Sequence, residues 1–212
     1  MKELDIEGVS KRRKRPKNKH TRPEVASSDD LVCRDFSADK PNEVWFADIT
    51  YVKTYQGWLY LAIVFDIFSR MVVGWSMGHN MHASLVDDAL LMAIMRRRPG
   101  KGIIHHSDHG SQYRSLLVGK TMRKYGIRPS MGGIASPWDN AATESLMSTI
   151  KTECVHRQAF QSREEAQIEI FDYIERFYNK LRMHSVLGYR SPKEYEDEYY
   201  SVLKTEEGCL QN

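Results

Sequence analysis

Cysteine is scarce in this 212-residue chain: Cys33, Cys154 and Cys209 are odd in number and far apart, and no Cys-x-x-Cys pair occurs. That argues against a disulfide framework and against a thiolate zinc site. Long apolar runs are missing too, which excludes a membrane-spanning helix. The first residues, Met1-Lys-Glu-Leu-Asp-Ile-Glu7, lack the apolar core of a signal peptide, so a cytoplasmic protein is the default expectation. What is present is ordinary for a globular protein. Hydrophobic residues make up 41% and charged residues 28%, and the length suffices to bury a real core.

The formal net charge of +3 hides an asymmetry. Of the 31 Lys and Arg, nine lie in residues 1–23; of the 28 acids, three do, so the remainder is 22 basic against 25 acidic, net −3. Residues 1–39 read as a basic flexible arm or linker, Lys/Arg/Pro/Asn-rich from Lys11 to Glu24, with packed structure expected to begin near Asp35. A basic arm on a near-neutral domain favours a polyanionic partner. The folded core is expected over 40–197, with a tail at 198–212.

Three strands are expected in quick succession, at about 44–53, 58–66 and 70–77, with short links that suggest an antiparallel meander. Ser84-Leu-Val-Asp87 offers a helix start, followed by an apolar face of Leu85, Ala89, Leu90, Met92, Ala93 and Met95. Pro99-Gly100 ends that helix, and Ile103–His106 form the next strand. A second helix, 114–125, stops at Gly126, and a short strand follows through 127–131. Met131–Trp138 has the Gly and Pro content of a loop, after which Asp139 or Asn140 can cap another helix. A last long helix starts at Ser162, where Glu165 completes a capping box, with Ile168, Phe171, Ile174, Phe177 and Tyr178 as its packing stripe. This order predicts an α/β fold, a mixed sheet flanked by helices.

Three acids stand out. Asp48 sits mid-strand, Asp108 closes a short apolar strand where a charge is costly unless compensated, and Glu144 lies in the first turn of a helix. Together they could form an oxygen cage for a hard divalent cation, suited to phosphoryl transfer on DNA. Other groups read differently. Asp66, at a strand end, is assigned a structural ion pair with Arg70. His105 and His106 face opposite ways on a strand, so they are not joint zinc ligands. Lys151 lies two helical turns beyond Glu144 on nearly the same face, aimed at a phosphate. Gln112, Ser136 and Asn140 could touch phosphate or base, Trp138 either covers the core or stacks on an unpaired base, and Arg96–Arg98 suit a helix C-terminus.

Several motifs occur together in order: Trp45-x-x-Asp48, Asp66-x-x-Ser69-Arg70-x-x-Val73-Gly74-Trp75, His106-Ser-Asp-His-Gly-Ser-Gln-Tyr113, Pro137-Trp-Asp-Asn-Ala141, Glu144-Ser145 with Lys151, and Tyr178-Asn-x-x-Arg182-x-His184-Ser-x-Leu-Gly-Tyr189-x-Ser-Pro192. The set resembles the integrase-type catalytic core of bacterial insertion-sequence transposases, in particular the insertion-sequence-3 family, over about residues 40–197. The resemblance implies a ribonuclease-H-like five-stranded fold and a catalytic, metal-binding triad of Asp48, Asp108 and Glu144. It implies Mg²⁺ or Mn²⁺, two ions per site, with Asp48 shared and Asp108 and Glu144 on either ion. It further implies DNA as substrate and target, cleavage at element ends, and joining of the freed 3′-hydroxyl to another phosphodiester. Arg182, His184 and Tyr189 either fix the final turn or reach DNA. Many members carry Arg where His109 stands, and an N-terminal helix-turn-helix that residues 1–40 do not show. The chain is therefore expected to be a catalytic half, working as a homo-oligomer on DNA, with end recognition from a separate helix-turn-helix domain or protein. Two other readings stay open: a ribonuclease-H-like nuclease that does not join strands, and an inactive DNA-binding remnant.

Overall fold

In the computed structural model, residues 28–33, 35, 37–132 and 141–209 are described, with side chains as far as Thr205. Five strands form one sheet in the order β3-β2-β1-β4-β5. β1 (Val44–Thr54), β2 (Gly57–Asp66) and β3 (Val72–Gly78) are antiparallel neighbours, while β4 (Ile104–Ser107) and β5 (Arg128–Met131) run parallel to β1. The meander and the helix-linked parallel strands thus appear as the sequence pattern suggests. Gly57 carries the β1–β2 turn at φ 114°, a backbone state that side chains disfavour.

Helices cover both faces, which is why β2 reads as an almost unbroken apolar run. α1 (Ala83–Arg97) and α2 (Leu116–Tyr125) lie on the side of Trp45, Ala47, Ala62, Val64 and Val73. α3 (Ala141–Glu153) and α4 (Arg163–Asp172) pack with Phe46, Leu61, Ile63 and Phe65 on the other. Gly74 lets α1 close on β3, since a Cβ there would stand 2.2 Å from the Ala89 carbonyl oxygen. Ser115 and Gly126 cap α2, the latter at φ 69°, as expected. α5 (Pro192–Cys209) runs across residue 197 without a break and begins with a capping box, Glu194 accepting from the Ser191 amide at 2.8 Å.

Four expectations need correction. Packing begins before Asp35: Val32 joins the core and the Leu31 amide donates to the Ser130 hydroxyl at 2.9 Å. α1 starts after His82 rather than at Ser84, with no side-chain cap, and Met95 is exposed. The helix from Ser162 has its capping bond, the Glu165 amide donating to Ser162 Oγ at 3.1 Å, but continues as a π-helical turn over Tyr173–Tyr178. Its buried stripe is Ala166, Ile170, Ile174 and Tyr178, whereas Ile168, Phe171 and Phe177 are exposed. Asp66, finally, does not pair with Arg70. Its carboxylate accepts from the Asn42 and Phe68 amides at 2.7 and 3.0 Å and faces Arg97 at 3.5 Å. Arg97 in turn holds Glu196 of α5 through two 2.6 Å bonds, so the end of α1 serves as the buried clamp for the last helix.

Candidate active site

β1 and β4 pair in register, Val44 with Ile104, Trp45 with His105 and Phe46 with His106. Carried two residues further, the same offset sets Asp48 beside Asp108, just past the end of β4. Both have the face parity of Phe46 and His106, whose rings are 4.8 Å apart. That is the face covered by α3, whose first turn supplies Glu144. α3 buries Thr143, Leu146, Met147 and Ile150, which turns Glu144 outward, and Lys151, seven residues on, follows on nearly the same face. The far end of α3 is tied down. Arg182 donates to both Glu153 carboxylate oxygens at 2.6–3.0 Å, and the Tyr173 hydroxyl adds a bond of 2.7 Å. Arg182 therefore fixes a structural element, as one of its two expected roles required.

The electrostatics of Asp48 register this assembly. Burial lifts its carboxyl from the ordinary 3.8 to about 6, while the Ile49 amide, donating to Oδ1 at 2.7 Å, pulls the other way. The charge of Asp108 pushes it further up, the Lys151 ammonium opposes, and Glu144 adds a smaller push. Thus four groups from β1, the end of β4 and α3 feel one another. Asp108 and Glu144 are exposed, and Asp108 Oδ1 accepts from the Gly110 amide at 2.9 Å. Among the described residues no three His, Cys, Asp or Glu side chains stand close enough to hold one metal ion. The carboxylates approach without closing into a cage. Their donor set is oxygen alone, which suits a hard divalent cation rather than zinc.

The remaining expected residues divide. Lys151 is with the acids, its Nζ 5.0 Å above the Tyr51 ring. Gln112 donates to the Met81 carbonyl at 3.3 Å. Ser136, Trp138 and Asn140, with the proposed cap at Asp139 or Asn140 and residues 1–27 of the basic arm, lie outside the described residues. His105 and His106 do face opposite ways. His106 is buried with Nδ1 2.9 Å from Ser130 Oγ, so it builds the β4–β5 contact and does not face DNA. His105 lies on the other face, 6.1 Å from the Tyr113 ring, and burial lowers it to about 4.

Two features escaped the sequence reading. Tyr113 is buried, its hydroxyl has no hydrogen-bond partner among the described residues, and burial with the charges of Asp48 and Asp108 raises it well above its ordinary value. Tyr51, Tyr55 and Trp58 are exposed around Lys151. Their signal was available: Tyr51, Lys53 and Tyr55 alternate along the solvent side of β1.

The fold has known counterparts. The chain superposes on a chain of the simian T-cell lymphotropic virus intasome, solved in complex with PP2A regulatory subunit B56 gamma, with a TM-score of 0.62 and 17% identity over 82% of this chain and 60% of that one. It likewise matches the catalytic core domain of BIV integrase with a TM-score of 0.51 and 17% identity, covering 77% and 99%. The sheet is thus the ribonuclease-H-like sheet of an integrase-type core. Two integrase core domain families match the sequence, at residues 38–137 and 125–192. The transposase for insertion sequence element IS904 of Lactococcus lactis subsp. lactis (strain IL1403) is 43% identical over 195 residues, 91% of this chain and 77% of its own length. Transposase InsF for insertion sequence IS3A of Escherichia coli (strain K12) is 44% identical over 170 residues, 80% of this chain and 59% of its own length. The chain belongs to the insertion-sequence-3 family of integrase-type transposases, and it spans about three fifths of the Escherichia coli relative. No helix among the described residues is long and apolar enough to cross a membrane.

Proposed function

We propose that this chain is the catalytic core of a transposase that cleaves DNA at element ends and joins the freed 3′-hydroxyl to a target phosphodiester. The observation that supports this most is the rise of the Asp48 carboxyl to about 6, mainly by burial, with Asp108 and Glu144 from two other elements adding smaller pushes of the same sign. Clustered carboxylates with so little compensation are expensive unless a cation joins them. Asp48, Asp108 and Glu144 would hold divalent metal, two Mg²⁺ or Mn²⁺ ions as in the family pattern. A relative in fold, the HTLV-2 integrase catalytic core, was solved in complex with magnesium. When bound, such ions supply Lewis-acid stabilisation of the attacking and leaving oxygens.

The chain's own groups do the rest. No side chain acts as nucleophile. In cleavage, water attacks phosphorus; in joining, the 3′-hydroxyl oxygen does. One phosphorus–oxygen bond forms as another breaks, and the joining step conserves the number of phosphodiesters. Near pH 7 Asp48 is mostly ionised, as a metal ligand must be. Lys151, close enough to act on Asp48, offsets part of the carboxylate charge and faces an incoming phosphate. Gln112 and Asn140 are kept as DNA contacts from the family pattern. End recognition is assigned to a helix-turn-helix domain or protein outside the matched region, and joining two ends calls for more than one copy of the chain.

A branched oligonucleotide that mimics a joined product tests the reading, because it asks little of end recognition. With Mn²⁺ or Mg²⁺, wild type should cleave and reseal strands, while Asp48→Asn, Asp108→Asn and Glu144→Gln should lose both activities at least a hundredfold. Cleavage without resealing would replace the proposal with a nuclease. No reaction, with DNA binding intact in all four proteins, would leave a DNA-binding remnant.

A further inference from the structure

A cavity of about 600 Å³ opens between the β1–β2 hairpin and the end of α3. Its walls include three aromatic rings, Tyr51, Tyr55 and Trp58, together with Lys53 and Lys151. Burial does not explain these rings. Tyr51 is 57%, Tyr55 75% and Trp58 46% exposed, whereas Trp45, Phe46 and Phe65 of the same sheet are hidden almost completely. Tyr51 pairs in register with Tyr60, and Trp58 is its diagonal neighbour on the same side, their rings meeting edge to face at 5.1 Å. Lys151 covers one face of Tyr51. Trp58 and Tyr55 keep open surface toward the cavity mouth.

The position matters as much as the composition. Lys151 acts on Asp48 and also sits over Tyr51, so one ammonium borders both the carboxylates and the cavity. Along β1, Tyr51 is three residues from Asp48, roughly 10 Å at a strand's rise per residue or about three steps of a DNA strand; the odd offset starts the two side chains on opposite faces of the strand, and it is Lys151 of α3, in reach of both, that joins them. Flat π surfaces beside lysines are what an unpaired nucleotide needs: rings to stack the base, ammonium groups for its phosphate. A paired duplex presents its phosphates but hides the faces of its bases.

We infer that this cavity is a stacking site for an unpaired DNA nucleotide a few positions from the scissile phosphate. The inference rests on the reading of Asp48, Asp108 and Glu144 as the site of DNA chemistry, and it adds the state of the DNA there: the duplex is opened beside the cut. Trp58 and Tyr55 take the base, and Lys53 and Lys151 take the flanking phosphates. The neutral aromatic surface makes the site tolerant of base identity.

The test uses forked duplexes with 2-aminopurine placed in one or the other unpaired arm, in EDTA so that no strand is cut. Wild type should quench the probe in one arm, at a site about three nucleotides from the branch, and bind the fork more tightly than the matched full duplex. Trp58→Ala should lose the quench and weaken fork binding about tenfold, the loss expected for one stacked base, with duplex binding and melting temperature unchanged. Trp58→Phe should restore most of both. Which arm is quenched tells whether the base belongs to the strand with the reactive 3′ end or to its complement. Equal fork and duplex affinity in wild type, or a Trp58→Ala protein that still quenches, overturns the inference. Asp48→Asn separates the two claims: it should still quench the probe while cutting nothing. A wild type that quenches but never cuts with metal would sink the catalytic reading and leave the stacking site standing.

Discussion

Replacing Asp48 with Asn should abolish chemistry and at the same time make the metal-free protein more stable. The carboxyl is lifted from 3.8 to about 6 in the folded chain, mainly by burial, with Asp108 and Glu144 contributing. At about 1.4 kcal/mol per pH unit, that difference corresponds to roughly 3 kcal/mol held against the folded state once both forms are ionised. Residual solvent at this half-buried site reduces it, so about 1–3 kcal/mol is the expected gain on neutralisation. Asn keeps an oxygen for the Ile49 amide, and little packing changes. The sign follows from proton counts. Between about pH 4 and 6 the folded protein binds more protons at Asp48 than the unfolded chain does, so this group's contribution falls as pH rises through that window. Asp48→Asn should therefore melt like wild type at pH 4 and about 3–8 °C above it at pH 7.5, for a chain of this size. Melting followed by fluorescence in EDTA, at half-unit pH steps, reads the difference curve directly. Titrating groups that do not interact with Asp48 cancel in it. Mg²⁺ should then raise the melting temperature of wild type and not of the variant, since only wild type gains a ligand linked to folding. A gain of equal size at pH 4 and 7.5, or a variant that melts below wild type at pH 7.5, would refute the argument.

Two further outcomes test the frame that carries the site. Glu196→Ala should cost about 3 kcal/mol, the low end for breaking a buried ion pair because Asp66 still faces Arg97; the urea midpoint should drop by roughly 1.5 M at an m-value near 2 kcal/mol/M, and a drop under 0.5 M would dismiss the clamp. His105, buried with no hydrogen-bond partner for either ring nitrogen among the described residues and lowered by burial to about 4, binds fewer protons folded than unfolded between pH 6.5 and 4, so it withdraws stability as pH falls through that window. His105→Phe should gain on wild type progressively from pH 6.5 down to 4, by about 2–3 kcal/mol at the acid end, and a pH-independent difference in urea melts would rule this out.

The parts of this protein that could be read in one dimension are those whose determinants are local. Strand alternation, the Ser162 and Gly126 caps and the order of helices and strands follow from neighbouring residues. Asp48 and Asp108 stood out because one interrupts and the other closes an apolar strand, where an acid has no ordinary reason to be. The Asp66 pairing was misread for the same reason in reverse: Arg70 is near in sequence, but it sits at φ 61° in the β2–β3 turn, and the guanidinium that reaches Asp66 arrives from the end of α1. The stripe on α4 was half right: Ile174 and Tyr178 are buried, but the helix rests on Ala166 and Ile170, so Ile168 and Phe171, both in its regular α-helical part, face outward despite their apolar side chains.

Glu144 marks the boundary between these two kinds of legibility. Its helix has a readable apolar face, so its outward direction follows from the sequence. Its distance from Asp48 does not, because that depends on how Leu146, Met147 and Ile150 seat on the sheet and on the Glu153–Arg182–Tyr173 knot at the other end of α3. That knot fixes the end bearing Lys151, over the Tyr51 ring, more firmly than the first turn bearing Glu144. The consequence is a site in which Lys151 and its aromatic neighbours are set by packing, while the three carboxylates are near one another at an electrostatic cost. A cation that repays this cost would draw Glu144 inward, and DNA lying across Lys151 would bring such cations with its phosphates. Substrate and metal should therefore bind cooperatively, each lowering the charge that opposes the other.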